Sequence, residues 1–175
     1  FKQIVIETKN GYKILQAELL KLNPLTAYVY EFFQKFGFTD FDAITYSIGK
    51  ESGTKFFSKS HRLLIDREYV IVEKIEKENF YEAIIKKSSN TISCPIKLSF
   101  QILEYRVSDF SNYSACFDYD KLKFPLKIRT WKNGDRFIPL GMKKYKKISD
   151  FFIDIKLDVF SKEKTFLLCS EDKII

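Results

Sequence analysis

Leu126-Lys-Ile-Arg-Thr-Trp131-Lys-Asn-Gly-Asp135-Arg-Phe-Ile-Pro-Leu140-Gly-Met-Lys-Lys-Tyr145-Lys-Lys-Ile-Ser-Asp150-Phe-Phe-Ile-Asp-Ile155-Lys156 is the stretch on which the architecture of this chain turns. Residues 126–130 read as a short strand. Lys132-Asn133-Gly134-Asp135 follows as a hairpin turn, because Asn-Gly reaches positive φ at little steric cost. Pro139 and Gly141 interrupt the next strand. Ser149 is placed to cap a short helix, and Asp150 in its first turn suits the helix dipole. Phe152 with Ile155, or Phe151 with Ile155, then faces inward. Asp158 caps a further short helix before Thr165-Phe166-Leu167-Leu168 returns as a strand.

The same stretch concentrates cations. Arg129 and Lys132 precede the turn and Arg136 follows it, so the hairpin end presents guanidinium and ammonium groups. Lys143, Lys144, Lys146 and Lys147 surround Tyr145, four lysines in five positions. The chain carries a net charge of +7, but residues 1–120 hold sixteen Lys/Arg against sixteen Asp/Glu. Residues 121–175 hold fourteen against seven and therefore carry the whole excess. A positive face of that kind attracts polyanions by long-range field and by counterion release. Phosphate contact is the function expected of the seven residues Arg129, Lys132, Arg136, Lys143, Lys144, Lys146 and Lys147. Among the arginines, Arg136 is the one expected to brace the hairpin instead.

Working back towards the N-terminus, short strands are expected around 80–86, 96–106 and 115–119, with loops at Ser88-Ser89-Asn90 and from Ser108 to Ser114. The charged stretch Lys74 to Asn79 separates this β-rich part from an earlier one. There, Asn23-Pro24 opens a helix whose Leu25, Tyr28, Val29, Phe32, Phe33 and Phe36 share one apolar face, with Gly37 ending it. Thr39 caps a second, shorter helix carrying Phe41, Ile44 and Ile48 inward, closed by Gly49. After Ser52-Gly53 the period shifts towards two. Phe56-Phe57, Arg62-Leu63-Leu64-Ile65 and Tyr69-Val70-Ile71-Val72 read as strands, the last two joined by a tight turn at Asp66-Arg67-Glu68. The expected fold is α+β: a helical subdomain with a β-hairpin over 1–77, then a β-rich α+β domain over 78–175 that the chain end truncates.

Several chemistries are excluded. Cys94, Cys116 and Cys169 are far apart, form no CxxC pair and share the chain with one histidine, His61, so zinc has neither ligands nor spacing. They read as isolated buried thiols of a reducing compartment. His61 has no paired Ser, Cys or second His and is expected to be structural. Asp135, Asp150 and Asp154 are explained as turn and cap residues rather than as catalytic carboxylates. No apolar run approaches the ~18–20 residues of a membrane span, and Phe-Lys-Gln-Ile-Val-Ile at the start lacks signal-peptide architecture. The start without Met and the close on Lys173-Ile174-Ile175 suggest a piece of a longer protein, cytoplasmic in location.

With Ile128-Arg129, Gly134-Asp135-Arg136-Phe137, Pro139, Gly141, Lys146-Lys147, Ser149-Asp150-Phe151-Phe152, Asp154 and Lys156 in this order, the sequence resembles the C-terminal domain of tRNA(Ile)-lysidine synthetases. Residues 52–67 and the Gly37-Phe38 helix ending are similar to that family's middle region. The chain departs from the family after the Pro-x-Gly step, where Met142 to Tyr145 are bulky rather than small. The resemblance implies an enzyme that uses ATP, with magnesium, to join lysine to the wobble cytidine of an isoleucine tRNA through an adenylated base. It places that chemistry in an N-terminal domain with a Ser-Gly-Gly-x-Asp-Ser loop, which this sequence does not contain. By implication this part has no catalytic, metal or cofactor residues of its own. It holds isoleucine tRNA near the acceptor stem and partners the catalytic domain, with no membrane association. Four phosphate contacts would set a log–log salt slope near −3, taking ~0.7–0.9 per contact. The alternative is a protein-interaction or dimerisation module that forms a homodimer without RNA.

Overall fold

Leu63-Leu64-Ile65 and Val70-Ile71-Val72 are apolar without alternation, the pattern of strands covered on both faces. In the computed structural model, which describes residues 4–50, 52–76, 82–105, 111 and 113–175, they lie in an antiparallel sheet of five strands. Its members are β1 (Val5–Thr8), β2 (Gly11–Leu15), β3 (Lys55–Phe57), β4 (His61–Ile65) and β5 (Tyr69–Lys74), in the order β1-β2-β5-β4-β3. Alternation sorts the two runs by face. Leu63, Ile65, Val70 and Val72 join the core beneath the helices, whereas Leu64 and Ile71, paired across the ladder, cover Phe160. The chain divides into two compact units, Phe1–Glu78 with Asp158–Phe160, and Asn79–Leu157 with Ser161–Ile175.

In the first unit a short helix α1 (Gln16–Leu19) is followed by α2 (Leu25–Phe33) and α3 (Phe41–Ser47). The aromatic stripe of α2 is core: Val29, Phe32, Phe33 and Phe36 are buried. The helix begins at Leu25 with Pro24 as its N-cap, so Asn23 does not cap it, and it tightens into a 3₁₀ turn over Gln34–Phe36 before Gly37 turns left-handed at φ 79°. Asp40, not Thr39, caps α3. Its Oδ1 accepts from the Ala43 N–H at 3.1 Å, the third amide of the helix, which is the donor a cap reaches. Residues 4–15 carried no expectation, yet β1 and β2 extend the sheet beside β5. Gly11 makes that possible, because a Cβ there would collide with the Val72 carbonyl oxygen.

The second unit holds β6 (Ala83–Ile85), β7 (Thr91–Ile92), β8 (Leu98–Ser99), β9 (Leu126–Thr130), β10 (Arg136–Phe137), β11 (Lys146–Lys147) and α4 (Ile148–Asp154). After α5 (Val159–Glu163) come β12 (Phe166–Ser170) and β13 (Lys173–Ile174). The main sheet runs β13-β12-β9-β6, while β7-β8 and β10-β11 form separate two-stranded ladders. Among the described residues of the strand expected at 96–106 only Leu98–Ser99 forms, and 115–119 is not a strand; Tyr119 instead starts a 3₁₀ turn. A strand needs a ladder to join, and β9 already has β6 and β12 on its two edges. Parts of the expectations at 74–79, 80–86, 96–106 and 108–114 fall on residues 77–81, 106–110 and 112, outside the described residues. The fold is α+β.

Candidate nucleic-acid interface

Alternation along β9 decides where its cation goes. Leu126 and Ile128 enter one core with Ile85, and the residues between them face the other side of the sheet. Arg129 stands opposite Leu167 in the β9–β12 register, on the side where Leu167 and Cys169 pack with Ile148 and Phe152 of α4. Its guanidinium grips Asp135 through two bonds, Nη1 to Oδ2 at 2.7 Å and Nη2 to Oδ1 at 2.8 Å, with side chains 19% and 14% exposed. The same carboxylate accepts from the Lys132 N–H at 2.6 Å, closing the turn in which Gly134 sits at φ 92°. The Arg129 guanidinium holds the Asp135 carboxyl below its usual range, burial opposing and the Lys132 amide adding to the effect. Asp135 in turn raises Arg129. Burial pushes the Cys169 thiol up, with the neighbouring Arg129 acting against it.

Two expectations are corrected here. The brace of the turn is Arg129, not Arg136, because Arg129 projects from β9 towards the turn while Arg136 lies beyond it on an exposed strand. The turn also does not join paired strands. β9 ladders with β6 and β12, whereas β10 ladders with β11, so residues 132–135 carry the chain from one sheet to another. The Asp135 carbonyl accepts from the Ile148 N–H at 2.9 Å, which ties the turn to the start of α4. That helix starts at Ile148 with Lys147 as its N-cap, two residues before the position expected, and Ser149 lies inside it. Ile148 and Phe152 are its buried residues, and Ile155 is exposed.

The β10–β11 hairpin gathers most of the other cations. Arg136 pairs with Lys147 and Phe137 with Lys146. Cross-strand partners stand about 5 Å apart on one face, so Arg136 and Lys147 are exposed neighbours while Phe137 turns inward, its ring 5.4 Å from that of Phe151. Arg136 lies over the Tyr145 ring at 5.5 Å. Lys143 and Lys144 sit exposed on the connection, and Lys132 is exposed on the adjoining turn. Lys146 is half-buried and paired with Asp154 of α4. Among the described residues, no carboxylate forms a salt bridge with Lys132, Arg136, Lys143, Lys144 or Lys147. Placing two like charges opposite one another costs the hairpin stability, which makes the pair more telling than a scattered surface lysine.

The connection itself was not foreseen as more than a carrier of lysines. Pro139 O accepts from the Met142 N–H at 2.9 Å, and Gly141 at φ 80° completes a turn that only a left-handed residue closes well. That turn pushes Ile138, Leu140, Met142 and Tyr145 into solvent, Leu140 completely. The signal was present in the sequence as Pro-Leu-Gly-Met, a turn built around apolar residues.

Elsewhere, His61 is half-buried against Phe36, its Nδ1 2.8 Å from Ser60 Oγ, and burial, then Lys74, lowers its pKa. Cys169 is buried, but Cys94 and Cys116 are exposed because they lie on irregular chain rather than in strands. Among the described residues, no group of three or more His, Cys, Asp or Glu could hold a metal ion, and no helix is long and apolar enough to cross a membrane.

Two family models match the chain: the TilS substrate binding domain over residues 7–75 and the TilS substrate C-terminal domain over 126–175. Among curated relatives, a tRNA(Ile)-lysidine synthase of Parabacteroides distasonis is 44% identical over 153 residues, covering 84% of this chain and 35% of the relative. One of Bacteroides thetaiotaomicron is 30% identical over 186 aligned residues, covering 99% and 40%. One of Clostridium tetani is 34% identical over 96 residues, covering 53% and 21%. The chain thus spans well under half the length of the relatives it matches.

Proposed function

This chain belongs to the tRNA(Ile)-lysidine synthase family and carries that family's substrate-binding and C-terminal domains, and from that premise we propose that it grips tRNA. The β10–β11 hairpin and its adjoining turn dock on the sugar-phosphate backbone of a helical stem of isoleucine tRNA, at the acceptor end. The whole protein then joins lysine to the wobble cytidine at the expense of ATP, in the cytoplasm. The ATP and magnesium of that reaction belong to the remainder of the whole protein, and this chain supplies the tRNA contacts.

The observation that carries this reading is the exposed Arg136–Lys147 pair, with Lys132, Lys143 and Lys144 along the same stretch and, among the described residues, no carboxylate in a salt bridge with any of the five. An A-form helix offers phosphates and 2′-hydroxyls across a shallow minor groove, so charge and shape are read more than sequence. Arg129 and Lys146 serve mainly to hold the turn and the helix in place, since Asp135 and Asp154 already engage them.

Binding of the chain to tRNA, measured across a salt series, tests the proposal. Five phosphate contacts predict a log–log slope of about −4, taking ~0.7–0.9 per contact. Lys143→Gln, Lys144→Gln and Lys147→Gln together should lower the slope by about 2 to 3. A slope near zero, or a triple variant that binds like the parent, removes the proposal. Self-association that is insensitive to RNA, seen by light scattering, would favour a dimerisation module in its place.

A further inference from the structure

The cations account for attraction to a phosphate backbone, but not for the residues between them. Ile138, Leu140, Met142 and Tyr145 are between 47% and 105% exposed on eight residues of connection. Such side chains at a loop tip have no role in the core of the unit. The turn Pro139–Met142 holds the tip out by a hydrogen bond and a left-handed glycine, so its exposure is a property of the backbone. No Asp or Glu occurs between Asp135 and Asp150, and Asp135 is committed to Arg129. The partner of this tip must therefore offer flat apolar area and negative charge within a few ångströms of each other.

We propose that the 138–145 tip packs on the open end of an RNA helix, with Leu140 and Met142 against the face of the terminal base pair and Lys143 and Lys144 on the phosphates that rim it. This rests on the RNA-binding reading above and adds to it where on the RNA the hairpin sits. The side of a duplex presents phosphates, sugars and groove edges. Only its ends present the broad face of a base pair, and any base offers such a face whatever the sequence. Arg136 and Lys147 at the base of the hairpin then follow the strand away from the end. The tip acts as a stop: it selects helices that terminate and slides past none that continue.

Two RNAs of identical stem test this, one a hairpin with an open end and the other a dumbbell closed by a loop at each end. The chain should bind the open form about tenfold more tightly, the scale of burying one large aliphatic side chain. Leu140→Ser with Met142→Ser should abolish that difference while leaving dumbbell affinity and its salt slope unchanged. Both positions are exposed, and an unchanged thermal melt confirms that the variant folds. Equal affinity of the parent for the two RNAs, or a double variant that keeps the preference, overturns the end-capping role while RNA binding stands. Binding to neither RNA overturns both readings. Retention on phosphatidylserine vesicles by the parent but not by the double variant, with no preference between the RNAs, assigns the tip to a lipid surface and also overturns the inference.

Discussion

Arg129 and Asp135 show how one ion pair can be a construction joint. The carboxylate takes two guanidinium bonds and a backbone amide, while the carbonyl of the same residue takes the first amide of α4. Asp135→Asn keeps the shape but leaves a part-buried guanidinium poorly answered, at a cost of about 2 kcal/mol at pH 7. Asp135 has a depressed folded-state pKa, so its contribution is present above the ordinary value of 3.8 and is lost as pH falls through the lower folded-state value. Urea unfolding at pH 7 and at pH 3 should therefore show the gap between parent and variant narrowing in acid. A gap that stays constant would mean the pair contributes nothing through its charge. Arg129 stays protonated throughout and adds no pH dependence of its own.

Among the elements, the smallest depends most on its neighbours. Two residues on each of two strands do not make a stable ladder in water. The β10–β11 hairpin persists because Phe137 packs on Phe151 and because Asp135 and Lys146 are tied to the turn and to α4. Phe137→Ala should weaken tRNA binding severalfold at fixed salt, because the Arg136–Lys147 pair is no longer held, while the charge count is unchanged. Affinity equal to the parent would show that the cations act as a loose cloud. In the five-stranded sheet the sensitive position is Gly11, where any side chain meets the Val72 carbonyl. Gly11→Ala should cost at least ~2 kcal/mol, near the upper end for overpacking, and chemical denaturation reads it directly. A loss below about 0.5 kcal/mol would mean that β2 shifts without penalty.

At the scale of the whole molecule, charge location matters more than charge total. Within the second unit the β10–β11 hairpin lies towards β13, at the opposite end of the main sheet from β6. Lys86, Lys87 and Lys97, on and after the β6 side, are also exposed. Changing these three to Gln removes as much charge as changing Lys143, Lys144 and Lys147. The first set should alter tRNA affinity by less than about twofold and the second by tenfold or more, because only contacting cations release counterions. Equal losses from the two sets would point to a diffuse field around the unit.

Periodicity and turn chemistry were sufficient for much of this chain. The aromatic face of α2, the β4–β5 pair and the Lys132–Asp135 turn could all be read directly, since each depends on residues a few positions apart. The excess of positive charge after residue 120 was likewise a matter of counting. What no local pattern held was pairing between strands that no tight turn joins. The β1–β2 hairpin exists because β5 offers an edge, 115–119 is not a strand because β9 has none to spare, and Arg129 rather than Arg136 faces Asp135 because Arg129 emerges on the side of the sheet that α4 covers. Local sequence states what a segment prefers, whereas ladder partners and the side of a sheet on which a charge emerges are set by chain brought together from far apart.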